Sequence, residues 1–206
     1  MSHNLQIVTT GDKGGVGKTT IAILMAEWML AQGRTVTLID ADPNRSLQTW
    51  IDKCSDLNFE VSKPNGDVLI VDTAGTSGAG ASHLRNANII VAPFKPHTGD
   101  LEVVLSWFLN LREALQERVV FVPNERANTK EQRACMGEIE ATLAEEKRGK
   151  LVGGLNYRPA AYGALLDGRA GNIFKIPFDG FDHKAKNEVE ALMASLAGDA
   201  LSLRKA

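Results

Sequence analysis

The stretch GDKGGVGKTT, residues 11–20, decides how this 206-residue chain is expected to fold. An apolar, β-rich run at residues 5–10 leads into it, and a segment with apolar residues at helical spacing follows directly. Glycines at positions 14, 15 and 17 allow backbone N–H groups to turn toward one point, where the helix start adds its own unpaired N–H groups. This setting between a strand and a helix is that of a phosphate-binding P-loop.

Two side chains at the end of this stretch suit a nucleotide and its metal. Lys18 supplies a positive charge near the β- and γ-phosphates, and the hydroxyl of Thr19 is a ligand that Mg²⁺ accepts. A glycine-rich turn that binds nothing is the alternative, but the Gly-Lys-Thr ending, the strand and the helix all agree on a P-loop. The candidate nucleotide-binding residues of the loop are Asp12, Lys13, Gly14, Gly15, Val16, Gly17, Lys18, Thr19 and Thr20.

A second apolar run, residues 35–40, ends in two carboxylates, Asp40 and Asp42. Open α/β sheets bind ligands at the carboxyl ends of their strands, so these side chains are expected near the P-loop. Residues i and i+2 of a strand share a face, so both can address one Mg²⁺ site, although Pro43 is expected to re-aim Asp42. Capping of the following helix by Asp42 or Asn44 is the alternative role.

A third apolar run, residues 68–72, ends in Asp72 and continues as Thr73-Ala74-Gly75, the form of a Walker B box. Asp72 is expected to hold Mg²⁺ through its water shell, because this ion keeps several waters. Residues 73–80 would then be a switch loop that senses the γ-phosphate. An apolar strand that ends in Asp is common by itself; the three loops in this order and at these spacings are specific together.

Strand-like and helix-like segments alternate along the chain, which predicts an α/β fold with a doubly wound, mostly parallel sheet flanked by helices. No repeat or linker interrupts the alternation, so residues 1–206 are expected to form a single domain. The predicted strands are residues 5–10, 35–40, 68–72, 88–92, 119–122 and 151–153, and the predicted helices are residues 18–32, 101–117, 129–147 and 187–196.

Composition narrows the class of protein. The apolar fraction of 44% and the charged fraction of 23% are ordinary for a globular protein, and a formal net charge of -2 gives no overall attraction to nucleic acid. Cys54 and Cys135 lack the spacing of a metal site and are expected to be buried thiols. No apolar run is long enough for a membrane span or a signal peptide, so a reducing cytoplasm is the expected location.

The loop departs from the ordinary Walker pattern, since Asp12 replaces the first glycine and Lys13 is an additional lysine. Residues 13–20 resemble the deviant Walker A box of the ParA/MinD superfamily, whose signature lysine reaches the partner's nucleotide across a dimer. The resemblance implies this role for Lys13; a local phosphate contact or a solvated loop charge is the alternative. Residues 40–43 resemble the D-x-D-P box of the family, which implies that Asp42 positions the attacking water and Asp40 supports the metal.

The resemblance extends beyond the phosphate site. Residues 42–50, 92–100 and 162–168 are similar to segments of short ParF-type partition ATPases. Relatives often use an Asn in the position of Asn124 to read adenine, but an Asn after Pro123 is equally typical of a turn. Arg158 falls in a loop that packs near the base in relatives.

A slow, Mg²⁺-dependent, partner-stimulated ATPase is what the resemblance implies, with Lys13, Lys18 and Asp42 as catalytic residues. An ATP-bound homodimer, sequence-independent DNA, and a small basic ParB-like or cargo adaptor would be its partners, no membrane is expected, and the location would be the nucleoid. Its task would be to partition or position a plasmid, a chromosome region or a protein cargo. A membrane-cycling ATPase like MinD and an ATP-dependent synthetase or kinase are the alternatives. The candidate DNA contacts are Lys147, Arg148, Lys150, Lys175, Lys184, Lys186, Arg204 and Lys205.

Overall fold

A single sheet of six parallel strands organises the computed structural model, which describes residues 5–56, 60–75, 81–166 and 183–202. The order across the sheet is β2-β3-β1-β4-β5-β6, and every pairing is parallel. The predicted doubly wound, parallel α/β architecture is confirmed. The strands are β1 (Leu5–Thr9), β2 (Val36–Ala41), β3 (Val68–Thr73), β4 (Ile89–Phe94), β5 (Val119–Pro123) and β6 (Lys150–Leu151).

Helices connect these strands. In the described part of the chain none of them is long and apolar enough to cross a membrane. They are α1 (Lys18–Ala31), α2 (Ser46–Asp56), α3 (Ala81–Leu84), α4 (Thr98–Leu109), α5 (Glu113–Gln116), α6 (Lys130–Glu146), α7 (Pro159–Leu166) and α8 (His183–Ser202).

The single helix predicted for residues 101–117 is wrong, because the chain breaks between α4 and α5. Asn110 follows the last residue of α4, and its side-chain amide donates to the carbonyl of Ser106 at 2.8 Å. Arg112 then adopts an extended backbone with ψ of 143° before α5 begins. Side-chain amides that bond to nearby carbonyls compete with the helix, and here they help to end it.

Both faces of the sheet are buried, which is why the strands read as continuous apolar runs. Alternate residues of each strand point to opposite faces, so Ile7 and Val8 belong to separate cores. One core includes α1 and α2 with the buried Trp50, and the other includes α4 and α6 with Phe108 and Phe121 in edge contact. Cys54 and Cys135 are buried free thiols, as predicted.

The strand order places three loops side by side at one edge. Strand β3 lies between β1 and β2, so the loops that follow these three strands are neighbours. Thr9 of β1 and Asp40 of β2 both stand in register with Asp72 of β3. The residues from separate motifs therefore meet at the carboxyl edge of the sheet.

Candidate functional site

The loop between β1 and α1 depends on glycine where the helix begins. Gly17, directly before α1, has a left-handed backbone with φ of 100°. A Cβ atom at this position would also lie 2.2 Å from Nδ2 of Asn124. Only glycine meets both demands without strain, and the turn directs the start of α1 toward the loop.

Lys18 is the first residue of α1 and is buried, with 6% of its surface exposed. Its Nζ donates a hydrogen bond to the carbonyl of Lys13 at 2.7 Å. Burial lowers the pKa of Lys18, and the negative charges of Asp72 and Asp42 offset part of this effect. A buried ammonium whose desolvation is only partly offset by two carboxylates is well suited to an anionic ligand.

Asp72 connects the P-loop to the core of the sheet. Its two carboxylate oxygens accept hydrogen bonds from Thr9 Oγ1 at 2.7 Å and from Thr19 Oγ1 at 2.6 Å. Burial raises the pKa of Asp72 to about 6; the bonds from both threonines and the charge of Lys18 act against this rise, and the charge of Asp40 adds to it. The Thr19 hydroxyl and the Asp72 carboxylate thus bring together the oxygen donors that Mg²⁺ prefers.

Asp40 and Asp42 have different partners. The carboxylate of Asp40 accepts the backbone N–H of Asp42 at 2.9 Å and that of Gln48 at 2.8 Å. Gln48 lies in the first turn of α2, so Asp40, rather than Asp42 or Asn44, satisfies an N–H at the start of this helix. Asp42 accepts the N–H of Asn44 at 2.9 Å. Asp40 therefore holds the turn that follows β2, and its predicted support of the metal stays a prediction.

A cavity of about 650 Å³ opens at this edge. Many of the predicted site residues line this cavity. The described residues that line it do not include five other predicted ones, which are Asp12, Lys13, Val16, Asp40 and Asp72. Residues 76–80 of the predicted switch loop lie outside the described residues. The predicted residues on its walls are Gly14, Gly15, Gly17, Lys18, Thr19, Thr20, Asp42, Asn124 and Arg158.

The Lys13 side chain has an ionic partner within its own chain. Its ammonium forms an ion pair with the carboxylate of Asp100, in the first turn of α4. The Lys13 side chain is 43% exposed, and that of Asp100 is 12% exposed. The ammonium of this extra lysine is therefore held at the first turn of α4 in the single chain, and its role across a dimer stays a prediction.

Two residues predicted near the base have partners in the protein. Asn124 is buried, and its Nδ2 donates to the carbonyl of Val16 at 3.0 Å, so its amide also supports the P-loop. Arg158 Nη2 donates to Glu188 Oε1 at 2.6 Å. Sequence reasoning missed Glu188, which reads as an ordinary polar residue of a helix and has no local motif.

Comparison with known proteins agrees with this geometry. A family described as the CobQ/CobB/MinD/ParA nucleotide binding domain matches residues 7–169. Protein ParA of Rhizobium radiobacter is 29% identical over 114 aligned residues, which cover 47% of this chain and 51% of that protein. Maintenance of carboxysome distribution protein A of Gloeobacter kilaueensis is 31% identical over 120 residues, with coverage of 50% and 55%. The matched part thus spans about half the length of these curated relatives.

Solved structures with the same fold cover nearly the whole chain. A variant of McdA from Cyanothece in complex with ATP has a TM-score of 0.68 and 14% identity, and covers 96% of this chain and 98% of that one. A chain of the MinC:MinD cell division protein complex from Aquifex aeolicus has a TM-score of 0.67 and 16% identity, with coverage of 94% and 96%. At such identities the likeness establishes the fold.

Proposed function

Because this chain belongs to the CobQ/CobB/MinD/ParA family of nucleotide-binding domains, we propose that it is a ParA-like, Mg²⁺-dependent ATPase that partitions or positions a cargo. One observation carries the proposal: Thr19 and Asp72 are joined at 2.6 Å beside the buried Lys18, at the edge of a cavity that Asp42 also lines. A phosphate chain and its metal need this combination of one cation, one hydroxyl and carboxylates.

The contacts of each side chain indicate its proposed role in ATP hydrolysis. MgATP supplies the phosphoanhydride bond that water cleaves. Lys18 would bind the phosphate oxygens, and Thr19 and Asp72 would hold the Mg²⁺ ion, which would neutralise negative charge on the phosphates. Asp42 orients the attacking water by accepting its hydrogen bond, and Asp40 keeps the Asp42 turn in place through two backbone N–H groups.

The proposed cycle includes an ATP-bound homodimer in which Lys13 contacts the partner's nucleotide. The dimer binds DNA without sequence preference, and a small basic adaptor stimulates slow hydrolysis, so that nucleotide state controls residence on the nucleoid. Support comes from the extra lysine in the P-loop and from relatives that carry the names ParA and maintenance of carboxysome distribution protein A.

The predicted basic patch gives this DNA proposal limited support. Arg148 pairs with Glu113 at 2.8 Å and Lys186 with Glu190 at 3.9 Å, so part of its charge is neutralised within the chain. Lys147 and Lys184 are exposed. Lys175, Arg204 and Lys205 lie outside the described residues.

A pair of variants separates binding from hydrolysis. Lys18→Ala is expected to lower ATP affinity roughly a hundredfold, because it removes the buried cation that meets the phosphates. Asp42→Ala is expected to retain ATP binding and to lower turnover at least about a hundredfold, the scale of a lost proton acceptor. Calorimetry measures the affinity, and phosphate release measures the turnover.

Asp52→Ala is the matched control, since Asp52 belongs to α2 and does not line the cavity. Both of its readouts should equal those of the wild type. Unchanged affinity in Lys18→Ala would remove the phosphate assignment. Turnover at the wild-type rate in Asp42→Ala would remove the assignment of the water-positioning residue.

A further inference from the structure

The P-loop forms one wall of the cavity, and the segment just before α7 forms a second wall. Asn156, Tyr157 and Arg158 line it just before α7 begins. Tyr157 is 62% exposed, whereas the aromatic residues Phe108 and Phe121 are buried. If phosphates occupy the P-loop, this wall is where a base and a sugar have room to lie.

One carboxylate of α8, that of Glu188, holds residues of this second wall in place through hydrogen bonds. Glu188 accepts hydrogen bonds from the backbone N–H of Asn156 at 3.1 Å and from its Nδ2 at 2.6 Å. It also accepts from Arg158 Nε at 3.2 Å and Nη2 at 2.6 Å. Residues on both sides of Tyr157 are therefore held by the same side chain, 30 or more positions away in the chain.

The other side of the wall is fixed to the sheet. Tyr157 donates its backbone N–H to the carbonyl of Arg126 at 2.9 Å, and Arg126 donates to Leu155 at 3.0 Å. Arg126 follows β5, so the segment from Leu155 to Arg158 lies between the end of a strand and α8. The apolar face of α8 is in turn buried in the core that contains α1, through Val189 and Leu192.

The pKa of Glu188 is lowered, which agrees with hydrogen bonds accepted by a charged carboxylate. Its side chain is 19% exposed and that of Arg158 is 23% exposed. Partial burial alone would raise the pKa of Glu188, but hydrogen bonds from Arg158 and Asn156 and the charge of Arg158 hold it below its ordinary value. Loss of this carboxylate would remove the acceptor of four hydrogen bonds at once.

We propose that Glu188 is a positioning residue for the nucleoside part of the bound nucleotide, because it holds Asn156 and Arg158 on either side of Tyr157. Glu188 itself does not appear among the described residues that line the cavity, so it acts through these neighbours. This inference rests on the proposed nucleotide-binding function. It makes α8 a support of the ligand site, although the sequence of α8 has no nucleotide-binding motif.

The test compares two ligands. Calorimetry on the full chain measures the affinity for ATP and for inorganic tripolyphosphate, which has the phosphate chain but neither base nor sugar. Glu188→Ala is expected to weaken ATP binding about tenfold, the factor that matches one lost charge-assisted hydrogen bond, and to leave tripolyphosphate binding unchanged. Glu188→Gln, which retains an acceptor oxygen, should show a smaller loss of ATP affinity.

Glu190→Gln is the matched control on the same helix, because Glu190 is 49% exposed and its ion pair with Lys186 is long, at 3.9 Å. Its affinity for both ligands should equal that of the wild type. Equal losses for ATP and tripolyphosphate in the Glu188 variants would overturn the inference, since they indicate general damage, and so would unchanged ATP affinity. If Glu188→Ala does not fold, the near-isosteric Glu188→Gln decides by the same criteria. Failure of the wild type to bind ATP would instead remove the proposed function, on which this inference depends.

Discussion

Among single residues, Asp72 carries a charge where burial disfavours one. Its side chain is 1% exposed and its pKa is raised to about 6 from an ordinary value near 3.8. Between about pH 4 and pH 6 the folded chain retains a proton that the unfolded chain has lost. In the ligand-free protein, this group therefore lowers the free energy of unfolding as pH rises through that window.

Asp72→Asn removes the titration and keeps the size of the side chain. The stability of this variant relative to wild type should rise by about 2 kcal/mol between pH 4 and pH 7, on the scale of 1.4 kcal/mol per pKa unit. Denaturant unfolding at a series of pH values measures the difference. Parallel stability profiles for the two proteins would contradict the prediction.

Asp67 provides a control, because its pKa is shifted in the opposite direction to that of Asp72. Partial burial would raise its pKa, but hydrogen bonds from Arg34 and Thr35 and the charge of Arg34 lower it. A depressed carboxyl pKa contributes stability at neutral pH that is lost as pH falls through the folded value. Asp67→Asn should therefore lose stability relative to wild type at pH 7, and this loss should shrink in acid.

At this scale, the sequence predicts residues that belong to local motifs. Lys18, Thr19 and Asp42 lie on the wall of one cavity, because glycine turns and strand ends place them there. The pairing of Lys13 with Asp100 and the bonds of Glu188 to Arg158 have no such signature, since each joins elements distant in sequence. The capping role of Asp40 was missed because its two backbone partners depend on the exact path of the turn before α2.

Between elements, the loop that follows β3 passes close to the backbone of the P-loop. A Cβ atom at Gly75 would lie 2.4 Å from the carbonyl oxygen of Lys13 and 2.7 Å from the backbone nitrogen of Gly14. Gly75→Ala must therefore displace the P-loop, although position 75 contributes no side chain to it. We expect ATP affinity to fall about tenfold, the equilibrium factor for an overpacking cost of 1–3 kcal/mol, with the fold retained.

Gly153→Ala is the matched control for this substitution. No atom lies within 4 Å of the Cβ that it would add. Calorimetry with ATP should therefore give wild-type affinity for Gly153→Ala and weaker binding for Gly75→Ala. Equal affinities in both variants would show that the P-loop does not rely on this contact.

Strands were easier to predict than helix ends. Runs buried on both faces identify β3 and β4 to within two residues, because both faces of a parallel sheet demand apolar side chains. The break between α4 and α5 was missed because helical spacing continues through it, whereas the backbone at Arg112 is extended. The short helix α7 was also missed, since its uniformly apolar sequence has no helical face to recognise.

For the molecule as a whole, substitution of Lys13 tests whether the ATP-bound protein is the proposed dimer or a monomer. Lys13→Gln removes the charge that would cross to the partner's nucleotide. Light scattering with ATP should then give the 22.3 kDa monomer for the variant and twice that mass for the wild type. Mobility shifts with random DNA should show ATP-dependent binding, steeply weakened by salt, for the wild type alone.

Lys63→Gln is the control, because it removes the same charge from an exposed side chain paired with Glu60 at 3.0 Å. Dimer formation and DNA binding by this variant should resemble those of the wild type. A Lys13→Gln variant that dimerises normally would contradict the role across the interface. DNA binding that ignores nucleotide state in the wild type would contradict the proposed cycle.

Strand β1 lies between β3 and β4 in the sheet, although it precedes both in the chain. A ribosome therefore releases the P-loop long before the strands that support it, and α8 with Glu188 emerges later still. Domains generally fold as units once enough of the chain is available. ATP capture is thus expected only after translation has passed α8, so that nucleotide occupancy distinguishes chains that have made α8 from shorter nascent chains.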